Sequence, residues 1–350
     1  VLVATPEPIG AGSAGPAIRA AHMARVLATD HDVVLASGRG RGVSPVDGRP
    51  VVDLADVDVE SLDAAVVQGR VSIDRPDLLA GSTPICFDWF DPFQLEALHR
   101  GGADRIRRMD LVEGARQTLL AQAARGDFFV CSNQTQRDHW LGFLAAAGRV
   151  NHLNHEVDPT FENLIAIAPF GTDGTPSLTA PGPLRAEFPH FGPDDHVLLW
   201  AGGLHDWLDP TLVVDAMPAI LEAVPDTRLV FLAGPHPNTS LETMGVRGEA
   251  IARAQELRLF GSDVVFVNRW IDYDERLGWF ADATVGVVAH RPHLEARFSH
   301  RTRLLDHLAV GLPTVTTGGD PAGAILTGSG AAVSARPGGT GDFAAAVVTV

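Results

Sequence analysis

Leu294-Glu-Ala-Arg-Phe-Ser-His-Arg-Thr-Arg-Leu-Leu-Asp306-His-Leu-Ala-Val-Gly-Leu-Pro313-Thr-Val-Thr-Thr-Gly-Gly-Asp320 is the stretch from which the rest of the chain can be read. It opens as a loop holding one acid, Glu295, and three arginines, Arg297, Arg301 and Arg303. From about Thr302 the apolar residues fall at 304, 305, 308 and 312, the spacing of one helix face. Gly311 is a natural helix stop, and Pro313 blocks continuation. Thr314-Val-Thr-Thr is then a short β-rich run, so the unit is loop, helix, turn, strand. A helix N-terminus exposes unpaired N–H groups and a partial positive charge. Arginines beside it suit a phosphate or diphosphate. Asp306, one turn in, repels a phosphate but can accept hydrogen bonds from sugar hydroxyls. The combination suits a nucleotide-sugar, and a solvated, salt-bridged helix start is the plainer alternative.

Upstream of this stretch the same alternation repeats. His196–Ala201 reads as a strand, 202–207 as a loop, Pro210–Val224 as a helix and Arg228–Ala233 as a strand. A loop at Gly234–Asn238, a helix over 248–259, a strand at Val264–Val267, a loop at Asn268–Ile271, a helix over 273–281 and a strand at Thr284–Ala289 follow. From Thr172 to Phe191 the chain is rich in Pro, Gly, Thr and Ser, which marks a linker over 173–191. The first half alternates too. Strands are expected at 1–5, 32–37, 51–54, 64–68, 84–87, 127–131 and 164–169. Helices are expected from Pro16 (apolar positions 18, 23, 26 and 27), near 74–80, over 95–124 and from Ser132 or Asn133 to Gly148. Two alternating halves imply an α/β protein of two doubly wound domains, 1–172 and 192–350, with their strand C-terminal loops facing each other across a cleft. The segment from Asp342 reads as the start of an amphipathic helix.

Composition narrows the function. The chain has 350 residues, which suggests about two to three domains. Its net charge is −16, spread evenly: 15 Arg against 22 acids in residues 1–170, and 12 against 21 in the rest. That argues against a nucleic-acid surface and against docking on anionic lipid. All 27 basic residues are arginine. Schiff-base lysines and P-loop lysines are therefore excluded, and any anion must be held by Arg, His or backbone N–H. The Ala-, Gly-, Pro-, Val- and Arg-rich usage is that of a GC-rich bacterial genome. Cys86 and Cys131 lie in apolar runs and read as buried thiols. No run of 18 apolar residues occurs and no signal peptide is visible, so a cytoplasmic protein is expected. Asp56-Val-Asp58 and Asp272-Tyr-Asp274 mimic a D-x-D string, and His152/His155 and His290/His293 are close pairs, but none has further local ligands, so no metal is expected.

Gly10-Ala-Gly12-Ser13-Ala-Gly15 matches G-x-G-x-x-G between a strand and a helix. The loop from Thr5 is long for a dinucleotide turn, and the next strand ends in Ser37 rather than a ribose-holding acid. A nicotinamide dehydrogenase is therefore disfavoured, and a glycine-rich βα loop facing a cleft is the better reading. Asp88-Trp-Phe-Asp91 follows the strand at 84–87, where α/β sheets bind ligands, with Asp91-Pro92 as a helix cap the alternative.

Twin α/β halves with an acid ahead of His307-Leu-Ala-Val-Gly-Leu-Pro-Thr-Val resemble the GT-B glycosyltransferases, and most of all their retaining, family-4-like branch. That branch carries E-x7-E followed by A-x-A-x-G-x-P-V-V. Asp306 falls on the second acid, and Ala309, Gly311 and Pro313 match the tail. Gln134-x-x-Arg137-Asp138-x-Trp140-Leu-Gly, Asp158-Pro-Thr, Ala168-Pro-Phe-Gly171, Asp206-Trp207-x-Asp209-Pro210, Tyr273-Asp-Glu-Arg276 and Leu294-Glu-x-Arg-Phe-Ser-x-Arg-Thr-Arg look like strings of a bacterial subgroup. The resemblance covers residues 1–340. It departs at Phe298, where the first acid belongs, with Glu295 the nearest replacement. It departs again at Gly203 and Leu208, where the family's Arg and Lys belong.

What the resemblance implies is a nucleotide-sugar donor and no cofactor beyond the donor itself; the acidic chain without a lipid-binding face adds the expectation of a soluble acceptor, a natural product or glycan precursor. Arg297, Arg301 and Arg303, with the Ser299-His300-Arg301 backbone, are expected to hold the diphosphate, and Asp306 the ribose. Glu295 would reach the donor sugar, and Trp270 and Ile271 would lie beside the base. His205, Asp206 and Gly203 would border the diphosphate or sugar. Gly10, Gly12, Ser13, Gly15, Asp88 and Asp91 would line the acceptor side. A GT-B-type nucleotide-sugar epimerase and a non-catalytic nucleotide-sugar binder are the alternatives.

Overall fold

The computed structural model describes residues 1–10, 12–38, 48–172, 182–234, 245–272 and 275–350. Most of the expected loop at Gly234–Asn238, the 173–181 part of the linker, and positions Tyr273 and Asp274 of two quoted strings lie outside those residues. Two compact units make up the chain, Val1–Phe170 and Gly171–Val350.

In the first unit the elements are β1 (Leu2–Thr5), α1 (Gly15–Leu27), β2 (Val34–Ser37), β3 (Val51–Asp53), β4 (Ala65–Gln68), α2 (Val71–Asp74) and α3 (Pro76–Ala80). Then come β5 (Ile85–Asp88), α4 (Phe93–Ala97), α5 (Arg105–Arg125), β6 (Phe128–Cys131), α6 (Gln134–Ala146), α7 (His152–Val157) and β7 (Ile165–Ile167). The seven strands are parallel in the order β3-β2-β1-β4-β5-β6-β7.

The second unit begins with α8 (Leu184–Glu187), β8 (His196–Ala201), α9 (Pro210–Ala223), β9 (Thr227–Leu232), α10 (Val246–Glu256), β10 (Val264–Val267) and α11 (Arg276–Ala281). It continues with β11 (Val285–Val288), α12 (Leu294–Phe298), α13 (Thr302–Val310), β12 (Thr314–Thr316), α14 (Pro321–Ser329), β13 (Ala332–Ser334) and α15 (Thr340–Thr349). Six parallel strands run in the order β10-β9-β8-β11-β12-β13. Each sheet reverses its winding next to its first strand, between β1 and β4 and between β8 and β11. That is the switch point outside whose strand C-termini such sheets bind ligands.

Both sheets are buried on two faces, as parallel sheets require. Along β8, Leu198 and Trp200 join one core with Phe231, Phe266 and Val287, while Val197, Leu199 and Ala201 join another with Val230, Trp279 and Phe280. That period of two is the strand's own geometry. β1 does the same, with Leu2 and Ala4 on one side and Val3 on the other. Among the described residues no helix is long and apolar enough to cross a membrane.

Several elements differ from expectation, each for a local reason. The helix expected over 95–124 is broken into α4 and α5. Gly101 and Gly102 take φ of 87° and 53°, which a glycine pair adopts readily, and Asp104 caps the new helix by accepting from Arg107 N at 3.1 Å. In α1 the buried face is Ala17, Arg19, Ala20 and Ala24, and Val26 points to solvent. The small alanines let the helix lie close on the sheet, and Arg19 is drawn inward by a buried acid. In α13, Leu308 is half exposed and His307 takes the buried place. Within the expected linker, Leu184 and Phe191 are buried in the second unit's core. The short helices α7 and α12 and the pair α14–β13 add to the expected elements.

Candidate active site

At the switch point of the second sheet two segments are tied together. Gly202 follows the end of β8, and its φ of 110° suits glycine. Leu208 pairs with His290 in an antiparallel bridge, and Asp209 N–H donates to Ala289 O at 2.9 Å. The His293 ring donates to Trp207 O at 2.8 Å. The loop after β8 is thus fastened to the segment leaving β11, which leads into α12 and α13.

This frame separates the three arginines. Arg301, 8% exposed, donates through Nη2 to Glu295 Oε2 at 2.6 Å, a buried ion pair that also has His293 Nδ1 at 3.8 Å from the same oxygen. Arg303 has no carboxylate within ion-pair distance among the described residues. Its Nη2 donates to Gly203 O at 3.2 Å, its guanidinium lies 5.3 Å from the centroid of the Trp200 ring, and its Nη1 is buried without a hydrogen-bond partner. Burial, and then the charge of Arg301, push the Arg303 pKa down to about 9, so the group stays cationic at neutral pH. Arg297 is exposed, 5.6 Å from the Phe298 ring centroid. The expectation of three arginines on one anion is therefore corrected. Arg301 is engaged by Glu295, and Arg303 is the half-buried cation with no carboxylate in direct contact among the described residues. It reaches the loop where the resembling family has its cations, but from α13 rather than from the loop itself.

Asp306 is paired with Arg276, Nη2 to Oδ1 at 2.9 Å, and burial raises its carboxyl above the usual range, opposed by Arg276 and Arg303. Ser299 is buried, and its N–H is used within the chain on Glu295 O at 3.0 Å, so that amide is not open to a phosphate. His300 lies between Ser299 and Arg301, and α13 begins without a side-chain cap. His205 stacks on Trp207 with centroids 4.7 Å apart and planes 5° apart, beside Gly203. Asp206 Oδ1 accepts from Val246 N at 3.1 Å and so anchors the start of α10. Trp270 and Ile271 follow β10, where Gly234 packs its bare Cα against the Arg269–Trp270 peptide.

Sequence reasoning gave no role to His290, Trp200, Arg276 or Asp320. His290 is buried, with its N–H donating to Thr317 Oγ1 at 2.9 Å, and burial together with Arg301 and Arg303 holds its pKa well below the ordinary value. Asp320, ahead of Pro321, carries a readable signal as a helix cap, Arg276 stands in one of the quoted strings and His290 in a close histidine pair, while Trp200 carries none. Among the described residues no group of three or more His, Cys, Asp or Glu side chains is placed to hold a metal ion.

In the first unit Asp88 is not an open carboxylate. Arg19 grips it with Nε at 2.7 Å from Oδ2 and Nη2 at 2.8 Å from Oδ1, and Gln68 Nε2 adds a bond to Oδ2 at 2.9 Å. Arg19 Nη2 also donates to Ala168 O at 2.8 Å, and its guanidinium lies 4.6 Å from the Phe170 ring centroid. This buried knot ties the C-terminal ends of β4, β5 and β7 to α1. Asp88 is thereby corrected from a catalytic or acceptor-side group to a structural anion. Of the glycine-rich loop, Ser13 Oγ accepts from Gly10 N at 2.9 Å and Ser13 N donates to Gly10 O at 2.9 Å, closing a turn that includes Gly12. Gly15 opens α1. Asp91 is half-buried next to Pro92, and it is Pro92 that occupies the N-cap position of α4.

No family model matches the sequence, and no curated protein does. Solved structures do match. A sucrose-phosphate synthase from Thermosynechococcus elongatus superposes with a TM-score of 0.67 at 13% identity, covering 99% of this chain and 88% of that one. A glycosyltransferase from Rickettsia africae gives 0.61 at 11%, covering 99% and 86%. WaaG, a glycosyltransferase involved in lipopolysaccharide biosynthesis, gives 0.60 at 13%, covering 100% and 90%. At these identities the likeness is one of fold. With its two doubly wound sheets, this chain has the GT-B fold of those glycosyltransferases.

Proposed function

We propose that this chain is a glycosyltransferase of the hexosyltransferase kind. It moves a sugar from a nucleotide-diphosphate donor to a soluble acceptor, a natural product or glycan precursor, with retention, without a metal and without a further cofactor. The observation that carries the reading is Arg303, a half-buried guanidinium at the switch point of the second sheet, stacked on Trp200 and hydrogen-bonded to a carbonyl rather than to an acid. The fold shared with glycosyltransferase structures supports the reaction class.

In such a transfer the anomeric C–O bond to the diphosphate breaks, and its electron pair leaves with the phosphate. The acceptor oxygen forms the new bond and gives up its proton. A fixed cation beside the leaving oxygen stabilises the charge that grows there. Arg303 has that role, with the uncapped start of α13 adding N–H groups and a partial positive charge. Asp306, held by Arg276, accepts from the ribose hydroxyls. Trp270 and Ile271 flank the base, and His205 borders the diphosphate. Arg297 lies at the exposed edge of the phosphate site. Gly10–Gly15 and Asp91 serve the acceptor.

Thermal shifts with UDP-, GDP-, dTDP- and ADP-sugars test the reading. At least one is expected to stabilise the protein, and slow release of free sugar from that donor separates a transferase from a binder. An Arg303→Ala variant is expected to weaken nucleotide binding about ten- to a hundredfold, the worth of a charged hydrogen bond of about 1.5–3 kcal/mol. A protein that no nucleotide stabilises, or an alanine variant that binds as well as wild type, sinks the assignment.

A further inference from the structure

Among the described residues β3 is the edge strand of the first sheet. Beside it lies a cavity of about 440 Å³, walled by Val34, Val51, Val57 and Leu62 and by the acids Asp53, Asp56 and Asp58. Asp53 and Asp58 each spend one oxygen on a turn, accepting from Ala55 N at 2.9 Å and from Glu60 N at 3.2 Å. Asp56 is exposed and caps nothing. Neither Asp56 nor Asp58 has a cation within ion-pair distance among the described residues. Arg75, which holds this turn, is engaged by Leu54 O, Val57 O and Asp77. An apolar groove edged by unpaired carboxylates fits a guest that is cationic and apolar together.

The chain itself carries such a guest. α5 is 21 residues long, and its first six, Arg105-Ile-Arg-Arg-Met-Asp110, are all exposed. Ile106 is 72% and Met109 62% exposed, neighbours one turn apart. Arg105 and Arg108 have no carboxylate within ion-pair distance among the described residues. Of the acids close by, Asp104 is occupied as the helix cap, and Asp110 falls on the flank beside Arg107. Two apolar side chains so exposed, next to unpaired cations, form a contact surface. The net charge of −16 makes copies of the chain repel at long range, so a contact between them needs local charges of opposite sign. The groove and the start of α5 supply them. We propose that the guest of the groove is a second copy of this chain: Ile106 and Met109 of its α5 enter the valine-lined cavity, and Arg105 and Arg108 meet Asp56 and Asp58. Each copy carries both halves of the contact, so two copies exchange helices and close as a symmetric pair.

Sedimentation velocity of the whole chain over about 1–100 µM tests this. Salt of about 0.15 M screens charges more than about 8 Å apart and leaves touching pairs in force. The wild type is expected to form a dimer. Asp56→Arg in the groove, and Arg105→Glu with Arg108→Glu on the helix, are each expected to raise its dissociation constant about tenfold or more. All three positions are exposed, and glutamate favours a helix start, so the helix variant is expected to keep its fold, which circular dichroism checks. An equimolar mixture of the two variants is expected to restore the dimer. The untouched helix of one enters the untouched groove of the other, and in the second contact the signs are exchanged. Loss of fold cannot imitate that rescue. A wild type that stays monomeric across the range, variants that dimerise as the wild type does, or a mixture that stays monomeric overturns the proposal.

Discussion

Arg19, buried, and Arg303, half-buried, both lie at strand C-termini, and their partners give them opposite uses. Arg19 is satisfied by Asp88, Ala168 and the ring of Phe170. Removing one partner strands a buried charge, which costs about 3–5 kcal/mol. Asp88→Asn is therefore expected to lower unfolding stability by about 3 kcal/mol in a denaturant titration, and any loss of turnover should follow the folded fraction. His307 offers a second residue-scale test. It is fully buried on α13, its Nδ1 is 3.0 Å from Thr314 Oγ1, and burial, with Arg303 and Arg276 adding, pushes its pKa down to about 3. The unfolded chain takes up this proton near pH 6.5 while the folded chain resists it to about 3. Stability is thus unaffected by this group above pH 6.5 and falls by about 1.4 kcal/mol per unit as pH drops through the window below. His290 acts in the same direction. Chemical denaturation from pH 7.5 to 4.5 should show the fall, and a slope unchanged in a folded His307→Gln variant would remove His307 as its source.

At the scale of elements, α13 depends on glycines at two points it touches. Gly311 ends it at φ 69°, a left-handed conformation that costs a side chain about 1 kcal/mol or more, so Gly311→Ala should lower the melting temperature by a few degrees. Gly286 on β11 lies under the His307 ring, and a Cβ there would collide with Cε1 and Nδ1. Gly286→Ala should cost about 1–3 kcal/mol and displace the helix that carries Arg303 and Asp306. Loss of nucleotide affinity beyond the loss of stability would show that displacement. These positions also show what was legible. Gly311 and Pro313 announce a helix stop in the sequence, whereas nothing near Gly286 announces His307, because the two meet only when β11 and α13 pack. Likewise α12 looks like loop in the sequence, its five residues being too short to display a period.

At the scale of the molecule, each unit has its own cores. Leu2, Phe87, Trp140 and their neighbours belong to the first, and Trp200, Phe231, Trp279 and theirs to the second. Residues 1–170 expressed alone should therefore show α/β circular dichroism and a cooperative melt. A molten fragment with no cooperative transition would refute that independence.

The twin α/β plan, and the strand runs at 196–201, 264–267 and 127–131, could be read from the chain because apolar runs and glycine–proline punctuation are local properties. So could the gathering of arginines ahead of α13, because residues beside a helix start are neighbours in sequence. Which arginine stays free could not be read. Arg301 and Arg303 are two residues apart on one segment, and what separates them is a buried glutamate for one and a tryptophan face with a glycine carbonyl for the other. Asp88 reads as an open carboxylate in the sequence for the same reason: its partner Arg19 is 69 residues away, and an unpaired buried ion is costly enough that the fold brings the two together.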